Sequence, residues 1–208
     1  MLFIDIPESI NESFYHGQVY VSYKDTTFQP STAIRHATEI YYTIIKQHQE
    51  NMSEMLLLYT DSGPDHRVIF GSVQISLICL FLHGDFDFLA SVRTALYHSW
   101  MNPAEHVMLI LNLALQGVSL KWNKMGDVLE DIFKSKNTLE EICLAAEENQ
   151  QLAIQLRESI KEVQSLLKER TTQLSLNEKS FQHYRPALRM QIDELFEVRI
   201  ALRILCLF

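Results

Sequence analysis

Two carboxylates occupy positions where acids commonly do chemistry. Asp61 follows the apolar run Met55-Leu56-Leu57-Leu58-Tyr59 and sits within Thr60-Asp61-Ser62-Gly63-Pro64-Asp65-His66. A short apolar run closed by a Gly-Pro turn predicts a central strand covered on both faces, and ligand sites of open α/β sheets gather at the carboxyl ends of such strands. Glu105 lies in Trp100-Met101-Asn102-Pro103-Ala104-Glu105. There Asn102 suits a helix N-cap, Pro103 the first helical position and Glu105 the third. A strand-end acid and a helix-start acid, 105 − 61 = 44 residues apart, can converge on a divalent cation, because hard cations take carboxylate oxygens. Each also has a plain structural reading. Asp before Ser-Gly-Pro is ordinary turn chemistry, and Glu at the third helical position can close a capping box.

The elements that must hold these acids follow from apolar periodicity. Residues 2–6 alternate and stop at Pro7, and 18–23 alternate again, which predicts two antiparallel strands. Ser31 or Thr32 then caps a helix whose inner face is Ala33, Ala37, Ile40, Tyr41, Ile44 and Ile45, with His36 at its rim. After the strand at Met55 comes a long apolar helix over 68–82, closed by Gly84, then a strand over 85–93 and the helix that carries Glu105.

At these residues the chain resembles the DDE-type transposases and retroviral integrases of the ribonuclease H-like superfamily. Thr60-Asp61-Ser62-Gly63 is similar to the family's second catalytic Asp at a strand end. Asn102-Pro103-Ala104-Glu105 is similar to the Asn-Pro-x-Glu of many mariner-like transposases. The run from Tyr59 through Arg67, with Arg93-Thr94-Ala95 and His98-Ser99-Trp100, looks like a group of transposon-derived animal proteins. The resemblance covers roughly residues 1–120. It implies phosphoryl transfer on DNA with Mg²⁺ or Mn²⁺, Asp61 and Glu105 as catalytic metal ligands, His66, Arg67, Arg93 and His98 near phosphate or water, and a nuclear setting.

The resemblance also implies a first catalytic Asp on an earlier strand. Asp5, 61 − 5 = 56 residues before Asp61, is the acid at a comparable distance. Only two strands are legible before the first helix where the family has three, so 2–6 reads as the second strand of a sheet lacking its first, and Asp5 as an exposed strand residue. The expected fold class is therefore α/β (an α+β mixed sheet). It comprises an incomplete ribonuclease H-like core over 1–120, reading as cut at both ends, and a mainly helical region over 121–208 packed on it. As it stands, such a chain should not cleave DNA.

Charge weighs against a strong grip on nucleic acid. Residues 1–120 hold 5 Lys and Arg against 12 Asp and Glu, and residues 121–208 hold 13 against 14. Phosphate neutralisation supplies most non-specific affinity, so weak or no DNA binding is expected. Three cysteines, Cys79, Cys143 and Cys206, are odd in number and far apart, which suggests neither a disulfide framework nor a zinc site and fits an intracellular protein. No run is long enough for a membrane span.

In the second half, Asp127 to Lys134 reads as a short helix, and Asn137-Thr138-Leu139-Glu140 as a capping box for another. Leu152, Leu156, Ile160, Val163, Leu167 and Leu174 form a stripe over 151–174 that predicts packing on neighbouring helices, in preference to a short coiled coil. The reading that competes with a phosphoryl-transfer domain is a non-enzymatic scaffold or protein-interaction module of transposon origin. Self-association through an exposed sheet edge or the helical region accompanies either one.

Overall fold

The computed structural model describes residues 1–208 except 14, 49–52, 62, 96–97 and 206–208, with the backbone alone at 45–48, 99 and 198–205. Ser62 of the Asp61 turn and the apolar end 206–208 thus lie outside the described residues. In chain order the elements are β1 (Leu2–Ile4), β2 (Gly17–Val21), α1 (Ala33–His48), β3 (Met55–Thr60), α2 (Gly71–His83), β4 (Phe88–Arg93), α3 (Pro103–Ala114), α4 (Asp127–Lys134), α5 (Leu139–Glu148), α6 (Gln150–Ser159), α7 (Lys161–Thr172), β5 (Ser175–Leu176), β6 (Lys179–Ser180), β7 (Gln182–His183) and α8 (Arg189–Leu205). This is a mixed α/β chain. The expected succession of two strands, helix, strand, helix, strand, helix is present through α3. No helix among the described residues is long and apolar enough to cross a membrane.

By contact the chain forms two compact units, which interleave in sequence instead of dividing at residue 120. The first comprises Met1–Pro30 with Val107–Tyr184, and the second Ser31–His106 with Arg185–Phe208.

In the first unit β1 pairs antiparallel with β2, from Leu2 opposite Val19 to Ile4 opposite Gly17. Gly17 has φ +142°, and a Cβ there would stand 1.8 Å from the Phe3 carbonyl oxygen, so only glycine lets the strands approach. The other edge of β2 is taken in parallel by β7, Tyr20 opposite Gln182 and Val21 opposite His183. Val19, Val21, Val107 and Phe181 form a buried cluster, joined by Leu2, Tyr23, Ile110, Leu111, Leu174 and Leu176. Thr138 caps α5 by accepting from Glu141 N–H, while Glu141 reaches back to the Asn137 amide. The cap pair is thus Thr138 and Glu141, each one residue later than the Asn137-to-Glu140 spacing.

The 151–174 stripe is broken between α6 and α7 at Ile160, because the Ser159 carbonyl accepts from Asn123 N–H at 2.9 Å instead of continuing a helical ladder. Leu152 is fully buried, whereas Leu156, Ile160, Val163 and Leu167 are half-buried.

In the second unit β3 and β4 run parallel and in register, from Met55 opposite Phe88 to Thr60 opposite Arg93, with α2 as the crossover. Helices α1, α2 and α8 pack together around Ala37, Ile44, Val73, Cys79, Leu80, Ile192 and Leu195. Gly84 closes α2, its N–H donating to the Leu80 and Leu82 carbonyls, and its missing Cβ admits the Phe86 ring.

Two expectations are corrected. The strand pair β1–β2 and the strand pair β3–β4 belong to separate sheets among the described residues, so no single mixed sheet unites them. And β3 is not covered on both faces. Met55, Leu57 and Tyr59 are 62%, 63% and 41% exposed while Leu56 and Leu58 turn inward, and Phe88 and Val92 of β4 are exposed beside them. Helices cover only one side of this two-stranded sheet, so alternate residues of an unbroken apolar run face solvent.

Candidate functional site

The carboxyl ends of β3 and β4 are tied together by Thr94, whose N–H and hydroxyl both donate to the Thr60 carbonyl, at 2.9 and 3.0 Å. Asp61 leaves β3 at this point. Its Oδ1 accepts from Gly63 N–H at 3.1 Å, an Asx turn, and the Gly63 carbonyl accepts from His66 N–H to close the one-turn 3₁₀ segment Pro64–His66. The turn brings His66 Nδ1 to 3.8 Å from Asp61 Oδ1, and the Asp61 side chain stays half exposed. Asp61 and His66, five residues apart, therefore do come together.

The same turn meets the start of α1. Thr32 caps that helix, its hydroxyl accepting from Arg35 N–H at 3.3 Å, and His36 lies one residue beyond. The His36 and His66 rings stand 4.9 Å apart between centroids at an interplanar angle of 61°. His36 Nε2 contacts the Ser31 hydroxyl at 2.8 Å and lies 3.8 Å from Asp65 Oδ2. His36, Asp65 and His66 line a cavity of about 50 Å³ whose floor includes Ala37, Ile40, Leu58, Val73, Leu77 and Leu80. Thr60 also lines it, and its buried hydroxyl has no hydrogen-bond partner among the described residues.

Ser31, His36 and Asp65 are not a nucleophilic triad. The serine and the carboxylate address the same nitrogen, whereas a triad needs them on opposite ring nitrogens.

Glu105 occupies the third position of α3. The cap is as the spacing predicts: Asn102 is buried, and its Oδ1 accepts from Ala104 N–H at 3.0 Å. The Glu105 carboxylate is half-buried and makes no hydrogen bond or ion pair among the described residues, so it does not close a capping box. Nor do three His, Cys, Asp or Glu side chains converge as ligands of one ion among the described residues.

Of the flanking residues, Arg93 is exposed at the end of β4, and His98 is exposed with its ring 6.1 Å from that of Trp100. Arg67 terminates the 3₁₀ turn. Asp5, in the first unit, is ion-paired with Lys179 at 2.6 Å and exposed.

The contribution of His36 could not be found from spacing. Its partner lies 30 residues away, and the sequence signal is only a histidine near the start of an amphipathic helix.

No family model, curated protein or solved structure matches the chain.

Proposed function

We propose that this chain carries the remnant of a DDE-type, ribonuclease H-like phosphoryl-transfer domain of transposon origin. We further propose that it is catalytically silent as it stands because its third acid is lacking. One observation carries the reading: the first strand of a parallel β-α-β pair runs directly into Asp61, and the helix after its second strand opens Asn102-Pro103-Ala104-Glu105. Both acids offer only oxygen, which suits Mg²⁺ or Mn²⁺. Asp61 and Glu105 would hold such an ion, which would supply activation of water or a 3′-hydroxyl and charge neutralisation at the leaving oxygen.

The residues themselves do less. Asp61, already oriented by the Gly63 amide, would hold an ion, and Glu105 would supply a second oxygen. His66 stands beside Asp61 at a distance suited to sharing a water. Two acids leave one of two ions underliganded, and the net charge of residues 1–120, 5 − 12 = −7, repels a polyanion.

The test is Mn²⁺-induced broadening of backbone resonances together with incubation on supercoiled DNA. The reading expects broadening at Asp61 and Glu105 and intact DNA. An absence of broadening at both would overturn the ancestry, and nicking abolished by Asp61→Ala and by Glu105→Ala would overturn the silence.

A second reading, an interaction module, draws on the bare apolar face of Met55, Leu57, Tyr59, Phe88 and Val92 beside an edge of β3 that is unpaired among the described residues. It expects self-association, seen by sedimentation equilibrium, that Leu57→Lys abolishes. A monomer unaffected by that change over a wide concentration range would exclude this form of it.

A further inference from the structure

The cavity between α1, α2 and the β3–β4 pair has features that neither the phosphoryl-transfer nor the interaction reading uses. Ligand sites of parallel sheets gather at the carboxyl ends of the strands. This cavity lies there: Leu58 and Thr60, among the last residues of β3, line it from the sheet, together with Ser91 of β4, which stands opposite Leu58. The space exists because small side chains meet where the helices cross the strands, Ala33 and Ala37 on α1, Ser76 on α2 and Ser91 on β4. A leucine or valine in their place would close it to ordinary core density.

The lining decides what fits. Ile40, Leu58, Val73 and Leu80 make the inner wall apolar, and the Ser76 hydroxyl is already committed to the Ser72 carbonyl at 2.7 Å. The Thr60 hydroxyl differs, being buried and without a hydrogen-bond partner among the described residues. Buried hydroxyls are nearly always paired, so an orphan that lines a cavity marks the place of a missing partner. Water suits that place poorly, because it needs about two to four polar partners and alkyl groups make up most of the inner wall. A charged group suits it less, since it would exchange its hydration for those alkyl walls. The groups that could meet a charge, Asp65, His36 and His66, stand on the solvent side with side chains 34%, 27% and 28% exposed. The volume of about 50 Å³ is several times that of one water-sized probe, which leaves room for about three to five non-hydrogen atoms.

We propose that this cavity binds a small neutral molecule of the short-chain alcohol class, its hydroxyl bonded to the Thr60 hydroxyl and its alkyl part against Leu58, Val73 and Leu80. The site uses neither Asp61, nor Glu105, nor the outer face of β3 and β4, so it stands or falls separately from both readings of function.

The test is titration of the full chain with isopropanol, followed on the methyl resonances, in the parent protein and in Thr60→Val and Ser91→Val variants checked for folding by far-UV circular dichroism. The expected result is saturable shifts at Leu58, Val73 and Leu80 with an affinity in the millimolar range, as suits so few atoms. Thr60→Val keeps the shape without the hydroxyl and should weaken binding about fivefold, the worth of one hydrogen bond. Ser91→Val fills the space and should abolish the shifts while raising Tm. Parent shifts that do not saturate, or that extend equally to Met55 and Leu57 on the outer face, would overturn the proposal. So would binding that is unchanged in folded Thr60→Val and Ser91→Val, or a cavity water, seen by nuclear Overhauser effects to the Leu58 and Leu80 methyls, that isopropanol does not displace.

Discussion

Thr171 is fully buried at the end of α7, and its hydroxyl is a hub. It stands 2.7 Å from the Tyr23 hydroxyl, 2.9 Å from the Leu167 carbonyl and 2.8 Å from His183 Nε2. Thr171→Val keeps the shape and deletes the hub. Tyr23 retains a 3.2 Å bond to the Leu167 carbonyl, whereas His183 Nε2 loses its partner in a half-buried place. A lost hydrogen bond costs about 1 kcal/mol net and a stranded buried polar atom about 1–3 kcal/mol, so the substitution should destabilise by roughly 2 kcal/mol. Tyr23→Phe should cost about 1 kcal/mol, and the double variant less than the sum by about 0.5–1.5 kcal/mol, because both changes remove the same bond. Thr171→Ser keeps the hydroxyl and gives up one methyl, about 1 kcal/mol.

The assay for these variants is urea unfolding followed by circular dichroism at pH 7.5 and again at pH 5.5. Burial, and then the charge of Lys168, lower the pKa of His183 from its ordinary 6.5. The unfolded chain therefore takes up this proton first. Stability should fall as the pH drops below about 6.5 and level off below the folded value, a dependence that His183→Gln flattens. Thr171→Val and Thr171→Ser of equal stability, or additive Thr171→Val and Tyr23→Phe, would refute the hub.

Three further outcomes follow from the geometry. Asn177 and Glu178, at φ +46° and +68°, form the two-residue turn between β5 and β6. Glu178→Gly should stabilise by about 0.4–1 kcal/mol and raise Tm by up to about 4 °C in a thermal scan. Asn102→Ala removes the cap on Ala104 N–H and should cost about 1 kcal/mol, with faster hydrogen exchange at the first turn of α3. Tyr42 donates to Glu194. Burial, that hydrogen bond and the Glu194 charge push its pKa up to about 12, so ultraviolet titration should find a phenol ionising late and Glu194→Gln should bring it down.

The succession of elements through α3 was legible because each carries its own period. Alternation marks β1 and β2, the i, i+4 spacing of Ala33, Ala37 and Tyr41 marks α1, and Asn102-Pro103 marks the start of α3. The unread parts are those that local pattern does not encode. Strands β5, β6 and β7 are two residues long, too short to show a period, and β7 joins β2 across 162 residues, from Tyr20 to Gln182. No Gly or Pro marks the break at Ile160, which depends on Asn123 taking the Ser159 carbonyl.

The candidate site divides along the same line. Asp61 and His66 meet because an Asx turn and a 3₁₀ turn, both written in Asp-Ser-Gly-Pro, fold five residues onto themselves. Glu105 is at the predicted helical position for an equally local reason. Whether acids share an ion is a tertiary matter, and there the unbroken apolar run 55–59 misleads: it reads as two-sided burial, while Met55, Leu57 and Tyr59 are exposed. A parallel pair with one solvent-exposed apolar face and, among the described residues, unpaired outer edges is an uncommon end state for a βαβ unit.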